Sequence, residues 1–295
     1  MPVSQKKNIN RAISGWLIML PTLILFAFYV WEPLLKIIQM SLYNAQGFTL
    51  TEFVGLDNYK SLLANPDFTI AWKNTFMYTF WSLIIGFCVP ILLALLITET
   101  PVFRSLTRVA VYFPNILPGL AVMLIWLFFF KPGNAGVLNN ILATVGIKPL
   151  TWLSAKGWTI PLIVVTMTWR SAGSTALIYM AGISGINPEQ VEAATIDGAG
   201  IIRRIFSVIL PSLTGLVKVM LILQIISVFQ ILYEPLMMTN GGPNNASISI
   251  MMLVYNYAFL HFDFPKAAAV SVMICIVLSL FTALYFVVSG RRGKE

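Results

Sequence analysis

Residues Asn74–Thr98 read NTFMYTFWSLIIGFCVPILLALLIT, without a single acid or base. A helix rises ~1.5 Å per residue through a hydrocarbon core ~30 Å thick, so about 20 apolar residues cross a bilayer. This stretch qualifies. So do Ile13–Trp31, Val109–Phe130, Ala267–Gly290, and Gly157–Ile186, the last broken by one charge, Arg170. A sixth run, Val219–Tyr233, reaches spanning length when extended back to Leu213 across Lys218, whose amine can snorkel to an interface. The expectation is an all-α integral membrane protein with six transmembrane helices, at about residues 13–38, 74–98, 109–130, 157–182, 213–234 and 266–289.

Composition agrees. The chain has 295 residues, 58% hydrophobic and 10% charged, with a mean hydropathy of +0.83. A soluble domain carries roughly a quarter charged residues. Disorder, a collagen-like or coiled-coil fibre and a disulfide-stapled module are excluded. The +8 net charge comes from 19 basic residues that form no patch, so no nucleic-acid partner is expected. Cys88 and Cys275 lie in apolar runs and read as small packing residues. His261 beside Asp263 has neither nucleophilic partner nor metal spacing; no catalytic residue and no metal site is expected.

Two stretches test the count. Pro235–Phe262 is uncharged, but Thr239–Ser247 (TNGGPNNAS) is turn chemistry. Its apolar part, Ile248–Leu260, is too short to span and reads as a short helix embedded in a loop. The first run follows Lys6, Lys7 and Arg11, yet it is too long for a signal peptide and lacks a small-residue cleavage site.

Charge sets the orientation. The side shared by both termini holds Lys6, Lys7, Arg11, Arg104, Arg108, Arg203, Arg204, Arg291, Arg292 and Lys294. The other holds Lys36, Lys60, Lys73, Lys131, Lys148, Lys156 and Lys266. Apart from Arg170 every arginine falls on the first side, so both termini are expected in the cytoplasm.

The loop Asn187–Pro211 reads as two short helices. Asn187 is an N-cap, Pro188 sits at N1, and Gln190 at N3 completes a capping box. Glu189 and Glu192 favour the positive helix start, and Gly198 breaks the helix. Pro211 marks entry to the next span.

The pattern Glu192-Ala193-Ala194, three residues, Asp197-Gly198-Ala199, then Phe206, Ile209, Pro211 and Leu213 resembles the EAA loop of ABC-importer permeases. Phe53–Tyr59 (FVGLDNY) and Thr239–Pro243 (TNGGP) are similar to the carbohydrate-uptake permeases of the maltose and glycerol-phosphate type. The family's frequent Tyr-Gly-Tyr-Ala-Ala is replaced here by Phe262-Asp263-Phe264-Pro265-Lys266-Ala267-Ala268.

The resemblance implies a type I ABC importer permease fold. It divides the chain into residues 1–70 (tail, first helix and external loop), a transmembrane type-1 domain at 71–288, and a cytoplasmic tail at 289–295. It implies a bacterial inner-membrane location and a substrate that is a sugar or oligosaccharide, with glycerol phosphate or another small polar solute as the alternative. A membrane enzyme or sensor scaffold is the reading from another class. The implied partners are a second homologous permease, two cytosolic ATPases that use ATP and Mg, an external substrate-binding lipoprotein, and membrane lipid. The chain has no phosphate-loop sequence and so no ATPase site or bound cofactor of its own. The implied ATPase-coupling residues are Glu192, Ala193, Ala194, Asp197, Gly198 and Ala199.

Sugars are held by aromatic rings and hydroxyl-bonding groups, and polar side chains inside a span face the bundle interior. The substrate-cavity candidates are Thr168, Trp169, Arg170, Ser171 and Thr175 on span four, and Gln224, Ser227, Gln230 and Tyr233 on span five. Spacing places Gln224, Ser227 and Ile231 on one face, and Thr168, Ser171 and Thr175 on another. Arg170 either pairs with Glu234 or faces a polar cavity.

Overall fold

The computed structural model describes residues 15–99, 104–155 and 157–291. Lys6, Lys7, Arg11, Lys156, Arg292 and Lys294, which the orientation argument uses, lie outside them. In chain order come α1 (Gly15–Ser41), β1 (Tyr43–Gln46), β2 (Thr49–Phe53) and α2 (Asp57–Leu63). Next are α3 (Pro66–Glu99), α4 (Arg104–Ile116), α5 (Gly119–Phe129), α6 (Val137–Thr144) and α7 (Thr159–Ser184). The remainder is α8 (Pro188–Ile196), α9 (Ile201–Ser212), α10 (Thr214–Phe229), α11 (Tyr233–Thr239), α12 (Ile250–Leu260) and α13 (Phe264–Arg291).

The chain is mostly helical, and the expected crossings are not all single apolar helices. Among the described residues α1, α3 and residues 264–287 of α13 are long and apolar enough to cross a membrane, and two bent pairs raise the number to five. The expected third span is bent by 97° between α4 and α5, where Leu117-Pro118 interrupts the helix. Proline removes a backbone donor and pushes its predecessor out of helical geometry. The expected fifth span is α10, which α9 enters through a 72° bend. Pro211 lies inside the last turn of α9, and the break falls at Leu213, where the expected span begins. The helix then stops at Phe229, and Gln230–Leu232 separate it from α11. The fourth expected span is the 26-residue α7; Arg170 and its hydroxyl residues keep it out of the apolar class.

The contacts divide the described residues into two compact units, those of 15–64 with 254–275, and those of 65–253 with 276–291. In the first, β1 and β2 form an antiparallel hairpin with Tyr43 opposite Phe53, which the hydropathy reading did not anticipate. Asn58, within the family-like Phe53–Tyr59 stretch, donates to the carbonyls of Ser41 and Tyr43, both at 3.0 Å. This stretch therefore fastens the hairpin to the end of α1.

In the second unit α7 is central. Tyr78, Met123, Phe130, Ile160, Ile163, Val164, Val228, Ile231 and Met238 form one buried cluster. Ala94, Ile97, Ala176, Tyr179 and Met180 form another. Lipid tails are as apolar as leucine, so such clusters hold by close fit, which the small residues Ala94, Ala172 and Ala176 permit. Cys88 and Cys275 are free thiols on exposed helix surfaces rather than buried fillers. The apolar runs that contain them include a surface suited to lipid.

Candidate functional site

The membrane-depth site starts from a local irregularity. Residues Ser82–Gly86 of α3 form a π turn, a geometry that leaves part of the regular backbone ladder unmade and re-aims side chains. Ser82 is buried and accepts a hydrogen bond from the Gln224 side-chain amide of α10. Thr168 of α7 is buried beside them. A Cβ on Gly86 would lie 2.9 Å from Gln224 Nε2, 3.0 Å from Ser82 Oγ and 3.2 Å from Thr168 Oγ1. Glycine is therefore the residue that lets three helices bring their polar groups together. Unpaired, such an amide would cost roughly 1–3 kcal/mol in an apolar interior.

A cavity of about 410 Å³ is lined by Gly119, Leu120 and Met123 of α5, Arg170 of α7, and Tyr233 and Met237 of α11. The Arg170 guanidinium carbon lies 3.3 Å from where a Cβ on Gly119 would sit. Its Nε is buried without a hydrogen-bond partner. Among the described residues the ion pairs are Glu32–Lys36, Asp57–Lys60, Glu99–Arg204 and Asp263–Lys266, so Arg170 is not paired with Glu234. Arg170 thus lines the cavity, and its charge also acts on the Glu234 carboxyl.

The other candidates scatter. Trp169 stands edge-on to Trp126 with centroids 5.9 Å apart. Ser171 is exposed and donates to the Met167 carbonyl at 3.0 Å, a bond spent on its own helix. Thr168 is buried, Ser171 exposed and Thr175 half-buried, so the three on this helix face are not equally accessible. Ser227 is exposed on α10 and Gln230 is exposed beyond it. Ile231 lies past the helix end and is buried in the core, so helical spacing does not relate it to Gln224. Ser82 and Gly86 were missed. Their one sequence signal is small-xxx-small spacing, which marks close helix approach in membranes.

The loop site is built differently. Asn187 caps α8, its Oδ1 accepting from Glu189 N at 3.0 Å. The Gln190 amide bonds the Asn187 carbonyl, and no Gln190 side-chain cap bond is seen. Gly198 has φ +77°, where a β-carbon is strained. Its amide and that of Ala199 bond back to Thr195 and Ala194, at 3.0 and 2.9 Å. Glu192, Ala193, Asp197 and Gly198 are exposed, while Ala194 and Ala199 are half-buried. Ile196, Ile202 and Phe206 are 86%, 73% and 69% exposed, an apolar surface beside the acids. Ile209 and Leu213 are instead buried against Leu95, and Arg204 pairs with Glu99. The loop is anchored at its base and bare at its tip.

Among the described residues no group of three or more His, Cys, Asp or Glu gathers as a metal set. Residues 86–292 match the family described as binding-protein-dependent transport system inner membrane component. The chain is 30% identical over 285 residues to the diacetylchitobiose uptake system permease protein NgcF of Streptomyces coelicolor, covering 92% of this chain and 80% of that one. It is also 30% identical over 300 residues to the trehalose/maltose transport system permease protein MalF of Thermococcus litoralis, with 99% of both chains covered. A crystal structure of a bacterial alginate ABC transporter, in complex with alginate pentasaccharide-bound periplasmic protein, contains a chain that superposes with a TM-score of 0.85. The two are 26% identical, with 98% of each chain covered.

Proposed function

Because this chain belongs to the binding-protein-dependent transport system inner membrane component family, we propose that it is the permease subunit of an ATP-driven importer of a sugar or oligosaccharide. An external lipoprotein delivers the substrate, a second homologous permease completes the pathway, and two cytosolic ATPases consume ATP and Mg. In this reading the chain crosses the inner membrane six times with both termini in the cytoplasm, counting α1, α3, the α4–α5 pair, α7, α10 and α13 as crossings. The carbohydrate relatives named above support the substrate class.

The observation that carries the reading is the bare tip of the Asn187–Ser212 loop. Exposed acids Glu192 and Asp197 flank exposed Ile196 and Ile202, with the turn held by Gly198. A soluble surface has little reason to hold such residues in contact with water; a surface covered by a partner does. Glu192 and Asp197 would be polar anchors in the ATPase cleft, and Ala193, Ala194, Gly198 and Ala199 would allow close approach. Closure of the ATPase dimer would move α8 and rock the helices between inward- and outward-facing states. Within the membrane, Arg170 and Tyr233 at the cavity are the substrate-facing groups we favour, and Gln224 and Thr168, packed against Ser82 and Gly86, hold α3, α7 and α10 together. Trp169, Ser171, Thr175, Ser227 and Gln230 are assigned to the cavity wall only if the second permease closes over them.

The test is Gly198→Asp in proteoliposomes holding the assembled transporter. Uptake falls while ATP hydrolysis continues; normal uptake would overturn the coupling assignment. One observation favours a second reading for the substrate. The Arg170 guanidinium lining the cavity, in no ion pair among the described residues, suits an anionic substituent, as on glycerol phosphate or an acidic sugar.

A further inference from the structure

Away from the site, α10 and the 276–287 part of α13 enclose a groove of about 260 Å³. Lys218, Leu221, Ile222 and Ile225 line it from α10, and Phe281, Leu284 and Tyr285 from α13. The two helices place their polar groups at one end. Lys218 lies four residues from the start of α10, and Tyr285 six residues before the end of α13. At ~1.5 Å per residue both sit within about 6–9 Å of a helix terminus, which is interfacial depth. Ile225 and Phe281 lie farther into the apolar zone on their respective helices.

Lys218 is half-buried and takes part in none of the four ion pairs among the described residues. A lysine amine on an apolar wall, without a carboxylate, needs an anion or water at its tip. We propose that this groove is a binding site for an anionic phospholipid. Its phosphate is held by the Lys218 ammonium with the Tyr285 hydroxyl as a second donor, and an acyl chain lies along Leu221, Ile222, Ile225 and Phe281. Charge complementarity selects the headgroup; the apolar floor selects a lipid over a free phosphate. The site is separate from Arg170, Gln224 and the Asn187–Ser212 loop, and stands whether or not the substrate assignment does.

Native mass spectrometry of the purified assembled transporter, titrated with phosphatidylglycerol or phosphatidylcholine of matched chains, tests this directly. One interfacial cation predicts about a fivefold preference for phosphatidylglycerol. Lys218→Gln abolishes the preference, Lys218→Arg retains it, and Ile222→Trp, which fills the floor, lowers binding of both lipids. Several results would overturn the proposal. These are an unchanged preference in Lys218→Gln, equal binding of the two lipids by the native transporter, and equal occupancy by glycerol phosphate without acyl chains. Absence of any bound lipid would also overturn it, since the groove would then be covered by the second permease.

Discussion

The turn Asn240–Ser249 and the loop Asn187–Ser212 are both helix connections rich in Asn, Gly and Pro, yet the chain satisfies one internally and leaves the other open. In the turn, Asn74 donates to the carbonyls of Asn245 and Ile248 at 2.8 and 3.0 Å. Tyr78 reaches the Ser247 carbonyl at 2.9 Å, and Asn245 donates to Asp67 at 2.7 Å. Ser249 donates to the Ile231 carbonyl at 2.6 Å, and Thr75 accepts from Ile250 N at 2.9 Å. Ser247, Ser249, Thr75 and Asn74 are all buried. The loop has no such buried polar set: its exposed tip displays isoleucines, and its polar attachment is the Glu99–Arg204 pair. A backbone sealed by its own side chains is built to stay put; one with bare apolar tips is built for a partner.

That contrast can be broken in four ways. The largest effect is expected from Asn74→Leu, which strips two buried carbonyls of their donor and lowers unfolding free energy by about 3 kcal/mol. Chemical unfolding in detergent measures it; a loss under about 1 kcal/mol would mean the turn does not depend on that amide. Gly86→Ala comes next, overpacking the junction of α3, α7 and α10 at a cost of about 2 kcal/mol in the same assay. Gly198→Asp should lower uptake about tenfold while stability shifts by about 1 kcal/mol, since its side chain meets open space and only φ is strained. Comparable losses of uptake and stability would erase the distinction between the two regions. The smallest effect is the coupling of Ser82→Ala with Gln224→Ala, about 0.6 kcal/mol in a double-mutant cycle, as befits one hydrogen bond between membrane helices.

Much of the loop was legible in sequence because its signals are local. The Asn187 cap, Pro188 at N1 and the stop at Gly198 each act within one turn of helix, and each is where the residues place it. The membrane-depth site was half legible. Thr168 and Gln224 stand out as polar residues in apolar runs, whereas Ser82 is an unremarked serine until Gln224 reaches it. Ile231 was misplaced because helical spacing was carried past Phe229, where the helix ends. The bend at Leu117-Pro118 escaped for a related reason: hydropathy sums over a window and does not register direction.

Sequence by itself determined the solvent of this protein, its helical class and the open loop. Apolar run length and capping chemistry are one-dimensional properties of the chain. Tertiary structure alone decided which polar groups meet: Ser82 with Gln224 and Thr168 around Gly86, and Arg170 with Tyr233 around one cavity. Those meetings depend on where helices bend and how closely their backbones approach, distances set by residues far apart in the chain.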